Sequence, residues 1–247
     1  MHPILFQIPT PWGPLVLWSH GACLAAAALA GWYLWVRPAG EVPAERRARI
    51  YLAGLGAGLF AGKLLDATLH GGTLLEGGVA PAGVVLGGVF VGWVVGRALD
   101  QEARRQAALL VPLFVFFIAL GQWLHGAAYG VPFDGPPWLE RLGTYPAWDD
   151  GGGAPAWLAH RARGWIGPDA QMSLPTHPVQ LYEAAGALLV LGLLRWRRPT
   201  RALALALAAT GAIALAIEPL RAERSVGDSL APLLLLLLAT VGTGADS

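Results

Sequence analysis

The chain is poor in charge and in two chemically versatile residue types, lysine and cysteine. Of its 247 residues, 13% are charged and 55% are hydrophobic, whereas a soluble domain carries about 25% charged residues. The low charge argues against an ordinary cytosolic enzyme, and the high hydrophobic content argues against a disordered chain. A net charge of +1 provides no strongly basic face, so we expect no nucleic-acid partner. The single cysteine, Cys23, excludes an internal disulfide and a cysteine-based zinc site.

The chain is instead rich in long apolar stretches and in tryptophan. Its mean hydropathy is +0.51 and it contains 11 tryptophans, a composition typical of a protein solvated by lipid, with tryptophan at the interfaces. A membrane span needs about 20 apolar residues. We therefore predict an all-α membrane protein in which residues 1–247 form a single domain of seven transmembrane helices. The seven predicted spans are Leu15–Val36, Ile50–Leu69, Ala82–Leu99, Ala107–Tyr129, Pro178–Leu194, Ala202–Leu220 and Leu230–Val241.

The distribution of arginine predicts the orientation of these spans. Three alternate loops hold 11 of the 17 basic residues, the other loops hold five, and Lys63 lies within a span. Because basic loops stay in the cytoplasm, we expect the N-terminus to be outside, in a bacterial cytoplasmic (inner) membrane. The long segment 130–176, between the fourth and fifth spans, then becomes a small external cap with short helices such as Pro155–Arg163.

Small residues recur every fourth position in two of the spans. The rows are Gly54, Gly58 and Gly62 in the second span, and Gly88, Gly92 and Gly96 in the third. Such rows let the backbones of neighbouring helices approach closely in lipid. We therefore predict close packing of these two helices.

Polar residues within the spans are the candidates for function, because ionisable groups are costly in lipid. Under the predicted topology they fall at the outer ends of five spans, which predicts a polar cavity open near the outer leaflet. Its expected ligand is a lipid headgroup or an extracytoplasmic segment. The residues are His20, Lys63, Asp66, His70, Gln122, His125, Tyr129, His177, Gln180, Tyr182, Glu183, Glu218 and Arg221.

Each of these residues also has a purely structural interpretation. Lys63 and Asp66 are three residues apart and would neutralise each other. Glu218 and Arg221 have the same spacing and would form a structural ion pair. A lone histidine near a helix end is more often a hydrogen-bonding group at the membrane interface than a catalyst.

Five segments, in the correct order, resemble one bacterial enzyme family. The segment His177–Ala184 (HPVQLYEA) resembles the HPSQLYEA signature of the prolipoprotein diacylglyceryl transferases. The other four are similar to the start of that family and to its YSYG, GNFINGELYG and IEFFR motifs. They are Met1–Ile8 (MHPILFQI), Trp18–Gly21 (WSHG), Gly121–Gly130 (GQWLHGAAYG) and Ile217–Arg221 (IEPLR).

The resemblance implies an enzyme that moves a diacylglyceryl group from phosphatidylglycerol, or a similar anionic phospholipid, to the lipobox cysteine of a prolipoprotein, releasing glycerol phosphate. That chemistry requires a cation near the phosphate and a base for the thiol. We predict catalytic roles for His20, His125 and Arg221. The predicted substrate-binding residues are Lys63, Gln122, Tyr129, Gly130, His177, Gln180 and Glu183, and the predicted structural or tuning residues are Asp66, His70 and Glu218.

The chain also departs from the family pattern. Ala119 replaces an arginine that the family treats as essential, and Leu86 replaces the histidine of its HGG motif. His20 and His125 stand where the family has tyrosine and asparagine, and Lys63 matches a family arginine. The chain thus resembles a diverged member whose reaction centre is partly rewritten.

Two alternatives to this transferase follow from the departures. The first is a non-catalytic member that binds lipid or lipoprotein in the bilayer. The second is a metal-dependent lipid-modifying variant that uses imidazole and carboxylate ligands from separate helices. No compact motif such as H-E-x-x-H supports the second alternative, and we predict no metal and no cofactor. Its candidate ligands are His20, His70, His125, Asp66 and Glu183.

Overall fold

A computed structural model gives a mostly helical chain. It describes residues 4–11, 15–37, 42–70, 80, 83–85, 87–88, 101–148, 152–222 and 232–239, without the side chains of 4–6, 15–17, 69–70 and 101–103. Residues 83–85, 87–88 and 232–239 are also helical. The elements in chain order are β1 (Ile4–Ile8), β2 (Leu15–Trp18), α1 (Ser19–Trp35), α2 (Ala44–His70), α3 (Gln101–His125), α4 (Pro137–Leu142), α5 (Pro155–Ala162), α6 (Val179–Arg197), α7 (Ala202–Ile217) and a 3₁₀ turn (Glu218–Leu220).

The chain begins with a hairpin that the sequence analysis did not predict. Strands β1 and β2 pair antiparallel, with Ile4 opposite Trp18 and Ile8 opposite Leu15. The expectation of a purely helical chain is therefore wrong at this point, and α1 begins at Ser19 rather than at Leu15. Both strands consist of residues that favour extended structure, and the intervening Pro9 and Pro11 disfavour helix.

Four helical segments are long and apolar enough to cross a membrane: Ala44–Thr68, Arg104–His125, Val179–Arg197 and Ala202–Leu220. They correspond to the second, fourth, fifth and sixth predicted spans. Helix α1, which lies in the first predicted span, has 17 residues. Most of the predicted span Ala82–Leu99 lies outside the described residues, and the predicted span Leu230–Val241 is described over residues 232–239. The count of seven therefore stays a prediction.

Helix α3 ends earlier than the apolar run predicts. Its last residue is His125, and the chain then turns through Gly126 and Ala128, which have φ angles of +79° and +52°. Glycine is the usual residue for this left-handed turn after a helix. Here a side chain at Gly126 would also collide with Ala154 and Tyr145. Tyr129 thus lies beyond the helix, and the predicted span Ala107–Tyr129 is wrong at its end.

The chain divides into two compact units. The first unit comprises Met1–Ala26, Phe117–Ala185 and Ile217–Arg224, and the second comprises Ala27–Phe116, Gly186–Ala216 and Ser225–Ser247. The first unit has an aromatic core in which Tyr129, Tyr145 and Trp157 are almost fully buried. Helix α5 supplies Trp157, whose indole N–H donates to the Ala170 carbonyl over 2.8 Å. This helix confirms the short helix predicted over Pro155–Arg163.

His160, also on α5, belongs to the structural framework of the first unit. It is fully buried, and its Nδ1 accepts a hydrogen bond from the Leu174 backbone N–H over 3.1 Å. Its ring contacts Tyr129 edge to face, with centroids 5.7 Å apart. Burial, and secondarily the charge of Arg163, lower the pKa of His160, so the imidazole stays neutral and accepts at Nδ1.

In the second unit the two helices do pack closely, but through Gly58 and Gly87 rather than through all members of the predicted rows. A Cβ at Gly54 would have nothing within 4 Å, and one at Gly88 would lie 3.9 Å from the Gly54 carbonyl oxygen. A Cβ added to Gly58 would lie 2.8 Å from the Val84 carbonyl oxygen, and one added to Gly87 would lie 2.6 Å from the Ala57 carbonyl oxygen. Helix α2 and the helical residues 83–85 and 87–88 therefore meet backbone to backbone, which only glycine permits. Gly92 and Gly96 of the predicted rows lie outside the described residues.

This packing predicts opposite effects of one added methyl group at two glycines of α2. Gly58→Ala should destabilise the protein by about 1–2 kcal/mol, because the new Cβ forces two backbones apart. Gly56 has open space around its Cβ position, so Gly56→Ala should be neutral or stabilising, since alanine favours helix by about 1 kcal/mol. Thermal unfolding of both variants in detergent measures the difference. Equal unfolding midpoints would contradict the close contact.

Candidate functional site

The first unit positions its polar residues through three short backbone segments that pair around Gly130. The Gly130 N–H donates to the His177 carbonyl, and the His177 N–H donates to the Val131 carbonyl, each over 3.1 Å. On the other side, the Val131 N–H donates to the Leu220 carbonyl over 2.8 Å, and the Ala222 N–H donates to the Tyr129 carbonyl over 3.1 Å. The segment 129–131 therefore connects the start of α6 to the segment that carries Arg221.

Gly130 is required for this pairing by space. A Cβ at this position would lie 2.5 Å from the His177 carbonyl oxygen and 2.8 Å from the Leu220 carbonyl oxygen. Real Cβ atoms do not approach backbone oxygens so closely, so any other residue would separate the three segments. The predicted substrate-binding role of Gly130 stays a prediction; what the structure gives is its place between the segments.

Arg221 lies between two carboxylates. Its Nη2 donates to Glu183 Oε2 over 2.9 Å, and its Nε lies 3.5 Å from Glu218 Oε2. The exposed fractions of these three side chains are only 11–16%, so the ions are held in a mostly buried cluster. Within the described part of the chain, Nη1 of Arg221 makes no hydrogen bond. The interpretation of Glu218 and Arg221 as an ion pair is confirmed, and Glu183 joins them.

Gln180 fixes the turn that follows α3. Its side-chain amide donates to the Ala127 carbonyl over 2.5 Å and to the Tyr145 hydroxyl over 3.1 Å. Both side chains are almost fully buried. Burial raises the pKa of Tyr145, and the hydrogen bond to Gln180 opposes this effect. The phenol therefore stays protonated and acts as a hydrogen-bonding group. Sequence analysis missed Tyr145, because nothing in the local sequence around it indicates a buried polar partner.

His177 lies against an aromatic wall. Its ring stacks on Phe133, with centroids 4.3 Å apart and planes inclined by 24°. Its Nδ1 lies 3.4 Å from the Tyr182 hydroxyl. Helix α6 begins at Val179, directly after Pro178, so His177 lies just outside the helix, as the sequence predicts. Phe133 is a second neighbour that the motif alone did not reveal.

His20 and His125 belong to the same part of the first unit. A Cβ on Gly121 would lie 3.1 Å from His20 Nδ1, so the His20 ring touches α3 at Gly121. His125 is four residues further along α3 and therefore on the same helix face.

One ring nitrogen of His125 has no hydrogen-bond partner among the described residues. This atom is Nδ1, and it is buried. The ring lies between two tryptophans, with centroids 6.2 Å from Trp18 and 5.8 Å from Trp148.

The remaining predicted residues are not all placed in this unit. Gln122 is half-buried on α3, in the first unit, whereas Lys63 and Asp66 are half-buried on α2, in the second. The side chain of His70 and all of Leu86 lie outside the described residues. Ala119 is almost fully buried on α3, so the position of the family arginine is apolar.

The described residues contain no group of three or more His, Cys, Asp or Glu side chains arranged to hold a metal ion. Of the ligands considered for a metal-dependent variant, Glu183 is engaged by Arg221. Asp66 lies in the second unit.

Comparison with known proteins agrees with the resemblance found in the sequence. A family model described as prolipoprotein diacylglyceryl transferase matches residues 3–244. A search of curated proteins gives no significant match. The family match covers nearly the whole chain, including both units and every segment of the candidate site. The chain therefore belongs to the prolipoprotein diacylglyceryl transferase family.

Proposed function

We propose that the protein moves a diacylglyceryl group from phosphatidylglycerol, or a similar anionic phospholipid, to the lipobox cysteine of a prolipoprotein. The observation that best supports the proposal is the set of contacts made by the Arg221 guanidinium. Two carboxylates fix its guanidinium while Nη1 is left without a hydrogen bond among the described residues. A guanidinium held in this way is an oriented donor for a phosphate oxygen.

The orientation of the Arg221 guanidinium defines its role in the proposed reaction. The two carboxylates orient the guanidinium. Its donor favours the extra negative charge that develops on the departing phosphate oxygen. Arg221 thus acts on the leaving group more than on the bound lipid. Catalysis requires this difference between transition state and ground state.

The proposed step is a displacement at carbon. The cysteine sulfur forms a bond to the terminal carbon of the diacylglyceryl group, and the bond between that carbon and the phosphate oxygen breaks. The electron pair of the broken bond leaves with glycerol phosphate. The thiol proton passes to an imidazole, because the thiolate is the nucleophile. His20 and His125 are the candidate bases, and Nδ1 of His125 has no competing hydrogen bond among the described residues.

A non-catalytic, lipid- or lipoprotein-binding member is the second candidate function. It is favoured by Ala119, which is buried and apolar where the family has an arginine. It is also favoured by the two carboxylates on Arg221, which would make that residue purely structural. Formation of lipidated peptide distinguishes transfer from binding alone.

The proposal includes a membrane topology. The reaction requires the site to meet both the bilayer and the extracytoplasmic peptide, so we place the N-terminus and the cap, residues 130–176, outside the cytoplasmic membrane of a bacterium, with seven spans. The arginine-rich loops support this orientation.

The topology predicts the fate of a reporter inserted in the cap. An alkaline phosphatase fusion near Gly152 should be active, because this enzyme requires the extracytoplasmic side. A fusion after Arg197, in an arginine-rich loop, should be inactive and serves as the control. Cytoplasmic labelling of the cap would contradict the topology.

Removal of the Arg221 guanidinium should abolish transfer without preventing membrane insertion. We expect Arg221→Ala to lower the rate by at least about 100-fold, the loss typical of one oxyanion donor. Arg221→Lys should also be poor, since an ammonium cannot pair with two carboxylates and present a further oriented donor. Labelled phosphatidylglycerol and a lipobox peptide provide the assay. Arg141→Ala, at an exposed position of the first unit, is the control. Full activity in both Arg221 variants would assign Arg221 a structural role.

An imidazole base predicts a dependence on pH. Imidazole has an ordinary pKa of about 6.5, and its protonated form cannot accept the thiol proton. Transfer should therefore decline as the pH falls through about 6, and His125→Gln should remove this decline together with most of the rate. His20→Gln shows whether the other imidazole is the base. A pH profile unchanged in both single variants and in the double variant would exclude an imidazole base.

A further inference from the structure

The second unit contains an apolar cavity that plays no part in the proposed reaction. The space is partly open to the outside. Its walls come from α1, α2, α3, α7 and the helical residues 83–85 and 87–88, and they include Trp35, Tyr51, Leu55, Val111 and Phe114. With such walls the cavity fits a hydrocarbon chain.

The helix rows that line the cavity lead, one turn further along each helix, to two arginines. On α2 the lining residues are Ile50, Tyr51, Gly54, Leu55 and Gly58, a row with helical spacing. Extending this row one turn toward the start of the helix leads to Arg47. On α3 the lining residues Ala107, Leu110, Val111 and Phe114 lead in the same way to Arg104. Two arginines from two helices thus extend the rows that line the cavity.

Arg47 differs from an ordinary surface arginine. Its exposed fraction is 4%, whereas its neighbour Arg46 is exposed. Its Nε is buried and has no hydrogen-bond partner among the described residues. A buried cation without an anion is costly, so this guanidinium indicates an anionic partner.

A hydrogen bond from Trp35 indicates the level of Arg47 relative to the lipid headgroups. The Trp35 indole N–H donates to the Arg47 carbonyl over 2.9 Å, and the Trp35 ring lines the cavity. Tryptophan prefers the level of lipid headgroups. Arg47 therefore lies where a phosphate group would be when its acyl chain enters the apolar cavity.

We propose that the second unit binds an anionic phospholipid, with an acyl chain in the cavity and the phosphate against Arg47. The lipid comes from the leaflet that faces the arginine-rich loops, since basic pockets between transmembrane helices bind anionic headgroups there. This site is separate from the residues proposed for transfer, and its existence does not depend on the transfer reaction.

The test uses phosphatidylglycerol with a photoreactive group in its acyl chain, added to the purified protein in detergent. After irradiation, labelled peptides are mapped by mass spectrometry. Peptides containing residues 50–58 and 107–114 should be labelled. Arg47→Gln should weaken this labelling about tenfold, the loss of one charge-assisted contact. Arg46→Gln should leave it unchanged.

A second pair of variants tests the cavity itself. Gly54 lines the cavity and Gly56 does not, yet both have open space around the Cβ position. Gly54→Leu should fill the cavity and abolish labelling, and Gly56→Leu should retain it. Because phosphatidylcholine lacks net charge, its analogue should label these peptides at least tenfold less. Equal labelling by the two lipids, or labelling unaffected by Arg47→Gln and Gly54→Leu, would overturn the proposal.

Discussion

The candidate site depends on one steric constraint, the absence of a side chain at Gly130. Three backbone segments meet there, and the would-be Cβ lies 2.5 Å from one carbonyl oxygen and 2.8 Å from another. The resulting hydrogen bonds connect the chain after α3, the start of α6 and the segment of Arg221. Because Glu183 is on α6 and Arg221 follows the 3₁₀ turn, this pairing brings together two residues that are 38 positions apart.

This pairing brings one guanidinium and two carboxylates together. The two carboxylates hold the guanidinium in one orientation. The imidazoles of His20 and His125 belong to the same unit, with His20 beside Gly121 and His125 near two tryptophans. In the proposed transfer, Arg221 would be the anion-stabilising group and an imidazole the proton acceptor.

The sequence predicted those parts of the fold that are encoded by long apolar runs or by residue spacing along one segment. The apolar runs of α2, α3, α6 and α7 and the pair Glu218–Arg221 follow from spacing along one segment. Of the predicted glycine rows, Gly58 makes a close backbone contact and Gly54 does not. The β1–β2 hairpin, the end of α3 at His125, and the contacts of Tyr145 and Phe133 did not follow. These features arise from tertiary contacts between segments distant in sequence, such as Gln180 with Ala127, and no local pattern encodes such partners.

If the scaffold still performs transfer although Ala119 replaces the family arginine, it must release glycerol phosphate as it modifies the peptide. The most direct measurement incubates the purified protein with doubly labelled phosphatidylglycerol and a lipobox peptide. We expect equal amounts of diacylglyceryl-modified peptide and free glycerol phosphate, with no modification of a peptide whose cysteine is replaced by serine. Binding of phosphatidylglycerol without either product would contradict transfer and assign the protein a lipid-binding role.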